Sequence, residues 1–537
     1  MTETTGFNYS KKQILFGIIS IFAAYSSMSY AVQALNIARP RMAADLDGMA
    51  LYHWAVSIPA LFSAFATLIF GKFSDMYGRR VMLMIAIAIS FVGTVLCAIS
   101  PGFIILIAAS SIASIGSGAM MPLTFSVIGD LFPPEKRGKW IGLLNVPAGV
   151  FALIGPTLGG WFVDNPVLGW RGLYWVSLPL MVICLLTTPM GVPSIRSAAR
   201  GKIDVKGCAL VAVASSATII GLSFAGDRYA WSSWQIISLF LVAIAFWGLF
   251  IRSEYHAEEP ILDPSVFRNR SFLTVSACSL LVCFGQVGML MYFIMFLQGV
   301  QINNDFERFI EPIGRFFGFS AGNTTISGII ITPMSAVMAF ISVPVGFIMG
   351  RLKNFKWMYI ASYGILVAAM FGVILLGPDD SQWLSVAAAA LAGVGLGALP
   401  PLNTMVVQTA VPQKLLGVAM GAFFFCLMMG VAISPAVLGS AMNSTYKTAL
   451  AASMPAELKT GDFLETAGNP RVLLSQRDMD ALEADFAAKG QSSLFPQTVN
   501  AIRDSLAAGV RGVFWISAVT MLLAFFLICT LPVKPRS

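Results

Sequence analysis

A chain of 537 residues that is 57% hydrophobic and only 11% charged falls outside the soluble globular class, in which about a quarter of residues carry charge. Its formal net charge of +8 suggests a nucleic-acid partner only until the basic residues are located, and two separated histidines offer no catalytic or metal cluster. Apolar runs of about 20 residues, long enough to cross a ~30 Å hydrocarbon core as helices, recur from end to end and define an all-α polytopic membrane protein.

Fourteen spans are predicted, at 14–37, 52–71, 81–100, 103–131, 140–163, 171–191, 206–225, 233–252, 271–297, 326–350, 356–377, 383–408, 417–441 and 512–532. The first follows Lys11 and Lys12. It is longer than the roughly 7–15 residues of a signal-peptide core and lacks a small-residue cleavage site, so it reads as a retained span. Between spans two and three, GKFSDMYGRR (71–80) packs Lys72, Asp75, Arg79 and Arg80 into an otherwise apolar region. After span nine, residues 302–324 mix aromatics with charges and form either an interfacial helix or lid, or an ordinary outer loop. Residues 442–511 make a long outer loop with helix-forming stretches such as SQRDMDALEADFAAKG (475–490). The cysteines, Cys97, Cys184, Cys208, Cys278, Cys283, Cys426 and Cys529, all lie in spans without metal-ligand spacing and read as small packing residues.

With the N-terminus inside, 21 of the 34 Lys and Arg residues fall on the inner side, and seven of the 13 outside lie in the 442–511 loop. Short outer loops keep only six, as the positive-inside rule requires. The basic balance therefore reports topology. Both termini are expected in the cytosol, the bilayer is expected to be a bacterial-type plasma membrane, and no nucleic-acid partner is expected.

Shifting the chain by 279 residues superposes Gly71 on Gly350, Gly116 on Gly395, Gly118 on Gly397 and Pro122 on Pro401. Without a gap, Pro133 then meets Pro412, Gly138 meets Gly417, Gly142 meets Gly421, Pro156 meets Pro435 and Gly160 meets Gly439. Nine matches at one offset indicate a repeat rather than the chance recurrence of Gly and Pro in membrane helices. Residues 1–191 and 263–537 are each predicted to form a six-helix bundle, with 192–262 an inserted two-helix hairpin. Because six is even, the repeats are parallel, related by an axis along the membrane normal.

GKFSDMYGRR also resembles the loop signature of the major facilitator superfamily. IGPTLGGWF (154–162) resembles the span-five motif of its antiporters, through Gly155, Pro156, Gly159 and Gly160. NIARP (36–40), LGWRGLYWVSLP (168–179) and YFIMFLQ (292–298) are similar to the fourteen-span drug:proton antiporter branch, the EmrB/QacA-type exporters. In the loop, Asp75 precedes span three, where a carboxylate favours the positive end of a helix, and Arg79 lies one turn away. The resemblance supplies a third member, an acid at the inner end of span four, here Asp130. With Gly71, Gly78 and Arg80 these residues would form a latch that holds the cytosolic side closed and breaks when the carrier turns inward. The alternative is a set of positive-inside anchors. The second copy, GRLKNF (350–355), has Asn354 in place of the acid.

The resemblance further implies an acid in span one and an arginine in span four, but those positions hold Ala31 and Ile112. His53 borders span two and His256 lies in a loop; neither replaces them. Arg39, at the outer end of span one, either attracts an anionic cargo or snorkels to the headgroups. Candidate cavity residues are Gln33 and Asn36 on one face of span one, Gln286, Tyr292 and Gln298 in span nine, and Asn403 in span twelve. Met120, Met121 and Phe284 would surround them with an adaptable apolar lining, helix packing being the alternative role for each.

These readings predict a secondary active exporter of amphipathic small molecules, of drug-efflux type, working by alternating access and driven by the proton gradient. The alternative is an uncoupled or differently coupled exporter of a neutral or anionic metabolite; a non-translocating sensor ranks behind both. No cofactor or metal is expected, and the absence of a nucleophile–base pair at membrane depth argues against an enzyme. A periplasmic adaptor is an expected partner only in a double-membraned bacterium.

Overall fold

The computed structural model describes residues 9–46, 54–151, 169–193, 204–225, 229–257, 260–301, 323–351, 356–453 and 494–531, with scattered residues at 154–155, 162, 305–306, 308–309, 312, 479, 482–484 and 486. The first helices are α1 (Lys11–Asp45), α2 (Trp54–Tyr77), α3 (Arg79–Ala98), α4 (Phe103–Leu131), α5 (Pro134–Leu144) and α6 (Arg171–Gly191). A hairpin of α7 (Val205–Phe224) and α8 (Trp234–Glu254) follows. Then come α9 (Arg270–Gly299), with a π turn at Gly288–Tyr292, α10 (Asn323–Arg351), α11 (Lys356–Leu375), α12 (Gln382–Ala410), α13 (Leu416–Ser453) and α14 (Phe495–Cys529).

Among the described residues, eleven helices are long and apolar enough to cross a membrane. The other three are α2, α5 and α7, of which α7 is apolar but shorter. Leu186, Leu241, Ile244, Leu375 and Phe526 are all more than half exposed. In water such a belt would be a large apolar patch; in a bilayer it is the lipid-facing surface, and the chain is a multi-pass membrane protein.

Helix boundaries differ from the hydropathy reading where packing continues beyond the bilayer. The α1 helix runs on to Asp45, α13 extends to Ser453 and α14 begins at Phe495. Both ends of the predicted 442–511 loop are therefore helical. They pack together, with the Ser453 and Ser505 hydroxyls 3.2 Å apart and Gly509 set against Met442 and Tyr446.

Helices α2, α3, α4, α1 and α6 pack as one group, and α9 to α14 as another. The groups meet where α2 crosses α13 and where α5 crosses α10. In the hairpin, α7 lies against both α2 and α13. Positions 279 residues apart sit at comparable helix crossings: Gly118 of α4 seats against Ser63 of α2, while Gly397 of α12 seats against α10, where Ser342 Oγ donates to its carbonyl. Ser63 and Ser342 are themselves related by the 279-residue shift. Small residues at these points let the backbones approach closely, as membrane helix packing requires.

Candidate functional site: an inter-repeat clamp and a hydroxyl-lined cavity

The α2–α13 crossing is built on glycine. A Cβ added at Gly71 would lie 2.6 Å from the Gly417 carbonyl and 2.9 Å from Gly421 Cα, so the two helices touch through their backbones. At the α5–α10 crossing, Gly346 packs on Gly138 and Gly142 in the corresponding way.

That close approach brings Asp75 to a helix end in the other repeat. Asp75 lies in the last turn of α2, and its carboxylate accepts hydrogen bonds from Gly417 N at 2.9 Å and Val418 N at 2.7 Å. Both amides belong to the first turn of α13, where N–H groups have no partner within the helix and the helix dipole is positive. Asp75 stays beside the start of α3, where it pairs with Arg79, and its carboxylate in addition caps α13. Gly78, at φ 91, makes the sharp join between α2 and α3, a backbone conformation natural only to glycine.

Arg79 holds the cluster together. It pairs with Asp75, donates through Nη1 to Ser74 Oγ at 2.9 Å, and donates through Nε to Asp130 Oδ2 at 3.1 Å. The Asp130 Oδ1 atom accepts from Gln413 Nε2 at 2.7 Å, a second tie between the repeats. Arg137 donates to the Gly129 and Phe132 carbonyls at 2.7 and 2.9 Å and reaches Gln413 Oε1 at 3.4 Å. Deeper in the molecule, Gln408 Nε2 donates to the Phe125 carbonyl at 2.9 Å, and Phe125 packs on Phe424 with ring centroids 5.2 Å apart. Arg79 is 6% exposed and Asp130 4%, so these are buried charges, for which loss of one partner costs about 3–5 kcal/mol. Arg80 is half-buried, and its Nε makes no hydrogen bond. Asn354 lies outside the described residues.

A cavity of about 380 Å³ lies within the first group of helices, with Met428 of α13 also in its lining. Eight serines line it, including Ser63, Ser90, Ser110, Ser114 and Ser117, together with Thr94, Tyr25, Tyr30 and Tyr174. Among its described lining residues Arg39 carries the one charge, and none is a carboxylate. Of the predicted cavity residues, Met120 and Met121 line it, as does Ala31. Ile112 instead sits on an exposed face of α4.

The second-repeat candidates lie elsewhere. Asn403 is buried and donates to Ser279 Oγ at 3.1 Å, and the Tyr292 hydroxyl donates to the Pro435 carbonyl at 3.3 Å. Phe284 is buried, while Gln286 and Gln298 are half-buried. The side chains of Gln33 and Asn36, and the whole of Pro156, Gly159 and Gly160, lie outside the described residues; Gly155 is helical and buried.

Sequence reasoning overlooked the serines and Gln413. The serines had a signal: Ser110, Ser114 and Ser117 recur at helical spacing along ASSIASIGSG (109–118) and so share one face of α4. Gln413 had none, being one polar residue in the short connection between α12 and α13.

An all-helical membrane protein with two packed helix groups, a buried charge cluster joining them and a cavity of hydroxyls set in a largely apolar lining is a membrane carrier. The chain belongs to the Major Facilitator Superfamily, whose description fits residues 19–435. It is 27% identical over 511 residues to the multidrug transporter protein MdtP of Bacillus subtilis, an alignment covering 93% of this chain and 89% of that one. It is 26% identical over 528 residues to multidrug resistance protein 3 of the same organism, covering 98% and 96%. Among solved structures, the human organic anion transporter MFSD10 (TETRAN) superposes with a TM-score of 0.55 at 14% identity, covering 96% of this chain and 99% of that one. The proton:xylose symporter XylE gives 0.54 at 12%, covering 98% and 97%. At such identities these two likenesses speak to the fold.

Proposed function

We propose that this chain is a fourteen-span exporter of amphipathic small molecules, working by alternating access with both termini in the cytosol of a bacterial-type cell. On this reading residues 1–191 and 263–537 are the rocking bundles and 192–262 the inserted hairpin. The observation that carries it is the Asp75–Arg79–Asp130 cluster bound to the start of α13, because it closes one end of the molecule through bonds that a rocking motion must break. The two Bacillus relatives named for multidrug transport support the drug-efflux class.

The cavity lining narrows the cargo. Serine and tyrosine hydroxyls give adaptable hydrogen bonds, methionines give adaptable apolar contact, and Arg39 supplies the one positive charge. A neutral or anionic amphiphile suits this lining better than a lipophilic dication, which has no carboxylate there to pair with. Proton drive is the leading reading of the energy source. An uncoupled exporter is the second, favoured by Ala31 and the lack of any acid among the described lining residues. Purified protein in proteoliposomes preloaded with neutral, anionic or cationic amphiphiles tests both. The exporter reading expects counterflow of the neutral or anionic set, accelerated by an imposed pH gradient. Counterflow indifferent to the gradient assigns the uncoupled reading, and binding without counterflow of any class rejects transport.

A further inference from the structure

The inserted hairpin carries a pair of carboxyl groups that the clamp and the cavity leave unused. Asp204 caps the start of α7, its Oδ1 accepting from Gly207 N at 2.8 Å. Glu254 closes α8, its Oε2 accepting from Leu262 N at 2.8 Å, and its side chain is only 4% exposed. Each keeps a second oxygen, Asp204 Oδ2 and Glu254 Oε1, that is buried and has no hydrogen-bond partner among the described residues. These two oxygens point at the same place. They lie 2.5 and 2.8 Å from one position, the point beside Gly207 where a Cβ would stand.

Two buried carboxylates facing each other without a donor between them are not a stable arrangement. Burial disfavours each charge, the like charges repel, and each bare oxygen forfeits a hydrogen bond. One proton removes all three penalties. We propose that Asp204 and Glu254 form a proton-binding site at the foot of the hairpin, the two carboxyl groups sharing one proton in the folded protein. Uptake takes one proton from the adjoining aqueous phase through half-buried Asp204, converts one carboxylate to an acid whose O–H donates to the other, and changes the pair's charge from −2 to −1.

The surroundings suit a singly charged pair. Lys72, buried on α2, is the cation acting on Glu254, and Cys208 is the remaining titratable neighbour, on α7. Lys206, Arg252 and Tyr255 are exposed. From α13, the other helix against α7, no charged residue is recorded acting on the pair among the described residues. Lys72 stands three residues before Asp75, so the site lies beside the clamp. The site is independent of what the carrier transports.

The sign of its effect on stability follows. While the pair shares its proton, the folded chain holds one more proton than the unfolded chain, whose carboxylates are ionised above about pH 5. Stability therefore falls as pH rises through the pair's titration, by about tenfold in the folded-to-unfolded ratio per pH unit for one proton.

The test uses the full chain in nanodiscs, comparing the unmodified protein with Glu254→Gln and Asp204→Asn. Infrared difference spectra taken across about pH 5 to about pH 8 should contain a protonated-carboxyl C=O band that shifts in deuterium oxide, and either variant should remove it. Thermal unfolding should lose midpoint with rising pH in the unmodified protein and stay flat in Glu254→Gln, whose amide donates permanently where the proton stood. If a variant fails to fold, the deuterium-sensitive band of the unmodified protein decides alone. The site is overturned if that band is absent at neutral pH or persists in both variants. It is equally overturned if micromolar Ca²⁺ or Mg²⁺ raises the unfolding midpoint of the unmodified protein but not of Glu254→Gln, which would make it a cation site.

Discussion

Replacing Asp75 by Asn isolates what its charge does at the α2–α13 contact. The amide keeps the size of the carboxylate and one acceptor oxygen, so one of the two bonds from Gly417 N and Val418 N survives. The charge-assisted partner of the other is lost, at about 1.5–3 kcal/mol, and attraction to the positive end of α13 is lost at about 0.3–1 kcal/mol. Arg79 also gives up one of two carboxylate partners while Asp130 retains it, which limits the damage to the buried cation. Together these give about 3 kcal/mol against the closed arrangement, or about a hundredfold in a two-state equilibrium. Spin labels introduced by Tyr77→Cys and Arg351→Cys, at exposed positions on the two repeats, report the separation by electron–electron double resonance in nanodiscs. The Asp75→Asn protein should move to a longer distance as its major population, and Asp75→Glu should move less. Superimposable distance distributions in all three proteins would refute the assignment of Asp75 as the tie between repeats.

Other expectations follow from the same geometry. Gly71→Ala should destabilise the protein by about 1–3 kcal/mol through overpacking against backbone that cannot yield, whereas Gly102→Ala, with nothing within 4 Å, should be close to neutral; thermal unfolding in detergent compares them. After α9, Asp305 pairs with the Ser381 hydroxyl and accepts from Gln382 N at 2.9 Å, pinning Asp305 and Phe306 to the start of α12, where Phe306 packs on Trp383 at 4.8 Å. Asp305→Ala should cost about 1 kcal/mol locally, read as faster amide exchange around Phe306. Partial desolvation pushes the Asp305 carboxyl up, but hydrogen bonds from Ser381, Gln382 and Phe306 outweigh it and hold it below the usual carboxylate range. Its contribution is therefore present above the unfolded pKa of about 3.9 and lost as pH falls through the lower folded value, and Asp305→Ala should abolish that acid-dependent step in exchange. Ser114→Phe, which fills the cavity from α4, should block counterflow while leaving the unfolding midpoint within a few degrees.

The amino-acid sequence by itself determined the solvent and the helical class of the chain. Apolar length is a local property, and about 20 apolar residues satisfy their own backbone in lipid only as a helix. The glycine register at an offset of 279 was likewise legible, because close helix crossings need small residues at fixed positions, and Gly118 and Gly397 occupy such crossings. Hydropathy placed the helix ends poorly at Asp45, Ser453 and Phe495, since packing outside the bilayer extends helices that an apolar run would end. Only the tertiary structure decided that Asp75 also reaches α13. Local order put it beside α3, and the fold in addition delivers it to amides at 417 and 418, a separation no helical period encodes. The cavity is also tertiary, because five helices each contribute hydroxyls that read singly as ordinary membrane serines. So too is the Asp204–Glu254 pair, whose members stand at opposite ends of a hairpin and face each other only because α7 and α8 pack antiparallel across Gly207.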